Sequence, residues 1–232
     1  LEGLDGWVVA LDGMPLTAPV KVTEAMILAP AQRIDLIVDV VADVGEAAHI
    51  LQFGREEAFS QVAFEVVEGG TTNRRDAPLA LPPNDHRMVD LKEATTLSLS
   101  MEGGAMGRMR SASLGGELKP IGEIVEAGYF WSFNGRVDGI NGDPLARLDR
   151  GQNVRLKMVN DTAFPHAMHL HGIHFHEVAE NGTLGPLRDT TLLERGQTRE
   201  IAFVADNPGQ WLLHCHMLSH AASGMMTKIV VG

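Results

Sequence analysis

Apolar residues come in short runs rich in β-branched side chains at 7–11, 20–28, 34–41, 50–53 and 62–67, and Gly, Pro, Asp or Asn separate them. Runs of that length and composition predict strands. Within Ile34-Asp35-Leu36-Ile37-Val38-Asp39-Val40 polar and apolar positions partly alternate, as they do where one face of a strand is buried and the other is wet. Strand signals resume at 88–101 and continue at 130–133, 154–159, 167–178, 190–193, 199–204, 210–216 and 225–231. The Gly-, Met- and Ser-rich stretch 102–116 predicts a long loop. No long amphipathic helix is visible. Many short strands with turns between them predict an all-β chain built as antiparallel sandwiches.

Residues 68–85 are rich in Gly, Thr, Asn, Arg and Pro and end Leu81-Pro82-Pro83-Asn84-Asp85, the composition of an interdomain linker. The expected organisation is a partial domain over 1–70, a linker over 71–86 and a C-terminal sandwich over 87–232. A sandwich as small as the first block buries little of its chain and would be marginal alone, so it reads as incomplete.

Composition narrows the function classes. At 232 residues, 44% hydrophobic and 21% charged, the chain can bury a globular core. No run of 18 apolar residues is present, so no membrane span is expected. The formal charge of −11 argues against nucleic acid, whose phosphates it would repel. The chain opens at Leu1 without Met and without a charged-then-apolar leader. No signal peptide is therefore read here, and processing or truncation is expected to have removed what came before.

Eight of the ten histidines fall between His166 and His220, and the single cysteine, Cys215, stands between His214 and His216. One cysteine makes no intramolecular disulfide. A thiolate, two imidazoles and a weak thioether are the donors of a blue-copper site. Cys215, His220 and Met225 supply three of these, and His166 can supply the fourth. Side chains alternate across a strand. If Cys215 points into its own sandwich, His214 and His216 point outward, and the same parity puts His169 and His171 on one face. Those four imidazoles are available to a second metal centre at the domain surface, with Cys215 one residue away.

The spacings His166-x-x-His169-x-His171 and His214-Cys215-His216-x-x-x-His220-x-x-x-x-Met225 resemble the two signatures of the multicopper oxidase family. Weaker likeness covers Phe130-Trp131-Ser132-Phe133-Asn134-Gly135, Asp189-Thr190-Thr191-Leu192, Asp12-Gly13-Met14-Pro15-Leu16 and Leu28-Ala29-Pro30-Ala31-Gln32-Arg33-Ile34-Asp35. The resemblance implies a cupredoxin-like Greek-key β-sandwich, preceded by the later part of a second such domain. It implies copper as the cofactor. His166, Cys215 and His220 would be equatorial ligands of a type 1 copper, with Met225 axial. His169 would serve a type 2 copper, and His171, His214 and His216 a type 3 pair. Cys215, His214 and His216 would carry electrons from a phenolic or metal-ion donor toward dioxygen. A periplasmic or extracellular location follows from the same resemblance.

The sequence departs from that family in two respects. The family's trinuclear cluster draws on two further His-x-His pairs in a first domain, but here His49 and His86 stand alone before His166. A missing N-terminal cupredoxin domain is expected to supply them, and the chain alone is expected to lack full oxidase activity. Ala221 occupies the position where several members place a carboxylate for proton delivery. The competing class is a non-enzymatic blue-copper carrier, which would leave four histidines idle. A copper nitrite reductase ranks behind both, because it lacks the histidines flanking the cysteine. Two smaller expectations complete the reading. His174 and His176 are expected to be core-facing or to support ligands rather than to bind metal. Met101, Met106, Met109 and Glu102 form a weak candidate for Cu(I) capture, set against a simple packing role.

Overall fold

The computed structural model describes residues 1–70 and 76–232; residues 71–75, the start of the expected linker, lie outside the described residues. The described chain divides into two compact units, one of Leu1–Leu28 with Arg33–Asn84 and one of Ala29–Gln32 with Asp85–Gly232.

In the first unit β1 (Leu4–Leu11) lies between β2 (Met14–Lys21) and β3 (Ile34–Val40) in an antiparallel sheet. Asp12 and Gly13 join β1 to β2 with φ of 51° and 79°, the left-handed pair that a two-residue hairpin turn needs. β4 (Ala47–Phe53) and β5 (Ala58–Glu65) form a separate antiparallel ribbon, and β5 is exposed along its whole length. The strand expected over 20–28 is displaced toward the N-terminus, because the tight turn pairs Leu11 with Met14 and starts β2 there. Met26, Ile27 and Leu28 are exposed.

The second unit begins with β6 (Thr95–Gly103), β7 (Ser111–Leu114), β8 (Glu117–Pro120), α1 (Ile121–Glu126) and β9 (Trp131–Phe133). Next come β10 (Ala146–Leu148), β11 (Gln152–Asn160), β12 (His166–Leu170), β13 (Phe175–Val178), β14 (Leu184–Arg188) and β15 (Thr190–Leu193). It closes with β16 (Thr198–Ala205), β17 (Gly209–Cys215), α2 (Leu218–Ala222) and β18 (Met226–Val231). One sheet has the order β10-β18-β17-β12-β15 and the other β14-β13-β16-β11-β6-β9. Pairing is antiparallel except β10 with β18 and β11 with β6.

The two sheets share one core. Leu99, Met101, Leu156, Met158, Phe175, Ile201 and Phe203 from the six-stranded sheet cluster with Met168, Leu170, Leu193, Leu213, Cys215, Ile229 and Val231 from the five-stranded sheet. Fully burying one such aliphatic or aromatic side chain contributes roughly 1.5–3 kcal/mol, so this contact carries the sandwich.

Three local expectations change. The run 167–178 is two strands, β12 and β13, in different sheets. The chain passes between them at Gly172, whose φ is +68° and where a Cβ would lie 2.2 Å from the Trp211 ring. The stretch 102–116 is not all loop, since β7 and β8 pair around Gly115-Gly116, both at positive φ. Of the strand expected at 88–101 only the part from Thr95 onward forms, paired in parallel with β11.

Candidate metal centre

β12 and β17 lie side by side, with Met168 opposite Cys215, His169 opposite His214 and Leu170 opposite Leu213. Alternation sorts these pairs. Met168, Leu170, Leu213 and Cys215 enter the core, while His169 and His214 turn to the other face and meet there with ring centroids 5.7 Å apart. The bond from His216 N–H to the Ala167 carbonyl (2.7 Å) continues the ladder past the end of β17, and His171 N–H bonds the Leu212 carbonyl (2.9 Å).

On the core side, Cys215 Sγ lies 3.8 Å from His166 Nδ1 and 3.7 Å from His220 Nδ1, and the two nitrogens are 3.2 Å apart. His166 begins β12 and is fully buried. His220 sits in α2, the short helix that carries the chain from β17 back to β18, so that residue 220 returns to the sulfur. Its carbonyl accepts from Met225 N–H (3.0 Å), and the Met225 carbonyl accepts from Cys215 N–H (3.1 Å). Met225 is buried in the same core cluster. The point equidistant from the three donor atoms is about 2.1 Å from each, within metal–ligand bond lengths of about 2.0–2.3 Å. A buried thiol with two imidazoles is a soft, nitrogen- and sulfur-rich donor set. These residues fit a copper ion.

Trp131 packs edge-to-face with His166 (5.1 Å) and tilted on His220 (4.5 Å), and Phe164 makes a T-shaped contact with Trp131 (5.6 Å). From sequence Trp131 lies in a segment of weaker family likeness and reads as an ordinary core aromatic. Thr162, which contacts His166 from behind, and Asn160, which bonds Thr162, carry no sequence signal either.

On the outer side four imidazoles converge. Ring centroids are 4.7 Å apart for His169 and His171, 5.2 Å for His171 and His214, 5.4 Å for His214 and His216, and 5.7 Å for His169 and His216. His214 Nδ1–H donates to the Cys215 carbonyl (3.0 Å), and His169 Nδ1–H donates to the Asp189 carbonyl (3.0 Å). Each leaves Nε2 as the nitrogen with the lone pair, the arrangement of a metal-binding histidine held by a supporting acceptor, and His214 Nε2 lies 3.1 Å from His171 Nε2. Thr190 Oγ, 2.9 Å from His169 Nδ1, donates to Asp189 Oδ1, whose carboxylate is also 3.9 Å from His174 Nε2.

Burial disfavours the charged form of His166, His171, His214 and His220. It lowers His166 to about 3, helped by His220, and lowers His214 to about 4, where the Cys215 carbonyl opposes it and the neighbouring imidazoles assist. His171 and His220 are also lowered, first by burial. Neutral imidazoles offer lone pairs to a metal at ordinary pH. Burial raises the Cys215 thiol, partly offset by the backbone N–H groups of Met217 and Ala167, so thiolate formation would depend on a cation beside it.

The remaining candidates separate clearly. His176 is buried and donates Nδ1–H to the Gly185 carbonyl (2.6 Å), while His174 is exposed. Met101 is buried in the main core and Met109 in a smaller cluster with Ala112, Ile124 and Val137; only Met106 of the three is exposed. Packing therefore accounts for Met101 and Met109, and the three do not present a shared thioether surface. His49 bonds Ser60 in the β4–β5 ribbon.

A sequence profile of the multicopper oxidase family matches residues 118–232. Over 103 residues the chain is 36% identical to the multicopper oxidase MmcO of Mycobacterium tuberculosis, covering 44% of this chain and 20% of that protein. It is 38% identical over 103 residues to a copper resistance protein A homolog of Pseudomonas syringae, covering 44% and 17%. Among solved structures, Lac15 from a marine microbial metagenome superposes with a TM-score of 0.74 at 38% identity, covering 99% of this chain and 50% of that one. The chain thus spans about half of Lac15 and less of these curated relatives. With the cupredoxin sandwich, the buried Cys-His-His group and these matches together, the chain belongs to the multicopper oxidase family.

Proposed function

We propose that this chain is the C-terminal part of a multicopper oxidase that takes electrons one at a time from phenolic or metal-ion donors and reduces dioxygen to water. The single observation that carries this reading is the sorting of donors by strand parity, with Cys215 on the core side and His214 on the other side beside His169 and His171.

In this reading His166, Cys215, His220 and Met225 would hold a type 1 copper, His169 would serve a type 2 copper, and His171, His214 and His216 would serve a type 3 pair. Copper would supply reversible one-electron redox chemistry at the thiolate, and oxygen-binding redox chemistry at the imidazole group. The protein's own contribution is positional. Cys215 is joined through its backbone to His214 and His216, so the two donor sets are one residue apart along a covalent path. Trp131 packs against both imidazoles of the inner set, and Phe164 packs against Trp131. Asp189 and Thr190 hold His169 Nδ1, and the Cys215 carbonyl holds His214 Nδ1, so that the outer nitrogens face one another.

Four outer histidines are half of the eight that such a cluster uses. The reading therefore places the other four on an N-terminal cupredoxin domain outside these 232 residues, consistent with coverage of half of Lac15. Export from the cytoplasm belongs to the same proposal; among the described residues no helix is long and apolar enough to cross a membrane.

The alternative is a blue-copper carrier, which uses the inner set alone. Copper stoichiometry and oxygen uptake decide, measured on the chain by itself and with added polypeptide carrying two His-x-His pairs. The oxidase reading expects little oxygen uptake alone, and four coppers with sustained uptake when completed. One copper and no uptake in both cases would leave the carrier. Rapid four-electron turnover by the chain alone would contradict the reading.

A further inference from the structure

Behind His166, on the side away from Cys215, lies a closed chain of polar groups. His166 Nε2 is 2.7 Å from Thr162 Oγ1, which is 2.8 Å from Asn160 Oδ1. All three residues are buried. The orientation of the Asn160 amide is fixed by its surroundings. Its Nδ2 donates to the carbonyls of Phe164 (2.8 Å) and Glu194 (2.9 Å), and its Oδ1 accepts from Thr162 N–H (3.1 Å). A flipped amide would set an oxygen against two carbonyl oxygens and an NH₂ against an N–H.

That orientation decides the next proton. Thr162 Oγ1 has one hydrogen, and its two non-histidine acceptors are Asn160 Oδ1 at 2.8 Å and the Phe164 carbonyl at 3.1 Å. Phe164 N–H points at the same oxygen from 3.2 Å. If the hydroxyl instead donated to His166, Oγ1 would face two buried oxygens with no proton between them. Oxygen lone pairs held that close without a bridging hydrogen repel one another. The hydroxyl therefore donates to Asn160 or the Phe164 carbonyl and accepts from His166 Nε2–H. Only one nitrogen of a neutral imidazole carries hydrogen, so Nδ1 is left bare, facing Cys215 Sγ and His220 Nδ1.

We infer that Asn160 and Thr162 are positioning residues that hold His166 as its Nε2–H tautomer, so that the Nδ1 lone pair is set toward the inner donor group before any metal arrives. The inference rests on the reading of His166 as a copper ligand only for its consequence in metal binding; the tautomer itself is a property of the metal-free chain. Supporting partners of metal-bound histidines work in this way, fixing the ring and its tautomer, and their removal lowers metal affinity about 10- to 100-fold.

The test begins with the ¹⁵N-labelled, metal-free 232-residue chain, whose long-range ¹H–¹⁵N spectra distinguish the two tautomers. The Nε2–H pattern is expected for His166 above neutral pH, and an Nδ1–H pattern would overturn the inference. Thr162→Val removes the acceptor; it is expected to reduce the Nε2–H fraction and to weaken copper binding by about 10-fold or more, with Thr162→Ser restoring both. An unchanged tautomer and unchanged affinity in Thr162→Val would overturn it. If that variant does not fold, the wild-type spectrum and Thr162→Ser decide. A wild-type chain with the Nε2–H tautomer but no blue absorption after copper loading would support the inference while contradicting the type 1 reading.

Discussion

His169 stands opposite His214 across the β12–β17 ladder, with ring centroids 5.7 Å apart, while the neighbouring pair on the same ladder, Met168 and Cys215, is buried in the core. A pleated strand cannot send adjacent side chains the same way. One tripeptide, His214-Cys215-His216, therefore serves two faces, and substitutions on the two faces should have separable effects.

His214→Ala removes an outer imidazole and leaves the inner three donors in place. Its copper-loaded form is expected to keep the blue absorption at near wild-type intensity, whereas His220→Ala should lose it. Absorption spectra of the two oxidised variants check this; equal loss in both would show that the faces are not independent.

Met101 and Met106 differ in burial, so their truncation should differ in cost. Met101 is fully buried and Met106 is 83% exposed. Met101→Ala should destabilise the chain by about 2–5 kcal/mol, and Met106→Ala by no more than about 0.5 kcal/mol, read from urea unfolding.

Gly172 and Gly182 both have positive φ, +68° and +81°, but only Gly172 has the Trp211 ring where a Cβ would go. Gly182→Ala should cost about 1–2 kcal/mol, the backbone term for a non-glycine residue in the left-handed region. Gly172→Ala should cost clearly more and should perturb Trp211 fluorescence. Equal costs in chemical denaturation would contradict the packing described around β12 and β13.

His176 gives a pH prediction for the metal-free chain. Burial lowers its pKa, with the Gly185 carbonyl opposing and His86 assisting. The folded chain therefore binds fewer protons than the unfolded chain below about pH 6.5, the ordinary histidine value. Its neutral form is fully favoured above that pH, and stability is lost as pH falls from there toward the lowered folded value. His176→Gln, whose amide can still donate to Gly185, should lose less stability than the wild type between pH 7.5 and 5, by up to about 1.4 kcal/mol per pH unit. Parallel pH profiles of unfolding free energy would contradict it.

The sandwich and the donor set were legible because both rest on local rules. Short β-branched-rich runs over 154–159 and 199–204 mark β11 and β16, and residue type with parity marks Cys215 and its flanking histidines. What escaped depends on partners that only the fold supplies. Asn160 is two residues from Thr162, but its amide is oriented in part by the Glu194 carbonyl, 34 residues away, and nothing in the sequence shows that contact. Trp131 looked like core because its contacts with His166 and His220 depend on β9 joining the far edge of the other sheet. β7 and most of its hairpin lie in a Gly- and Ser-rich stretch, where Gly115 and Gly116 have the composition of a loop although they form the turn between β7 and β8.

The most direct measurement is the absorption spectrum of the oxidised, copper-loaded chain beside that of Cys215→Ser. An intense blue thiolate-to-copper band in the wild type, absent from Cys215→Ser, is the result the account predicts. A colourless wild-type chain that has bound copper, or a band that survives the loss of the sulfur, would contradict it.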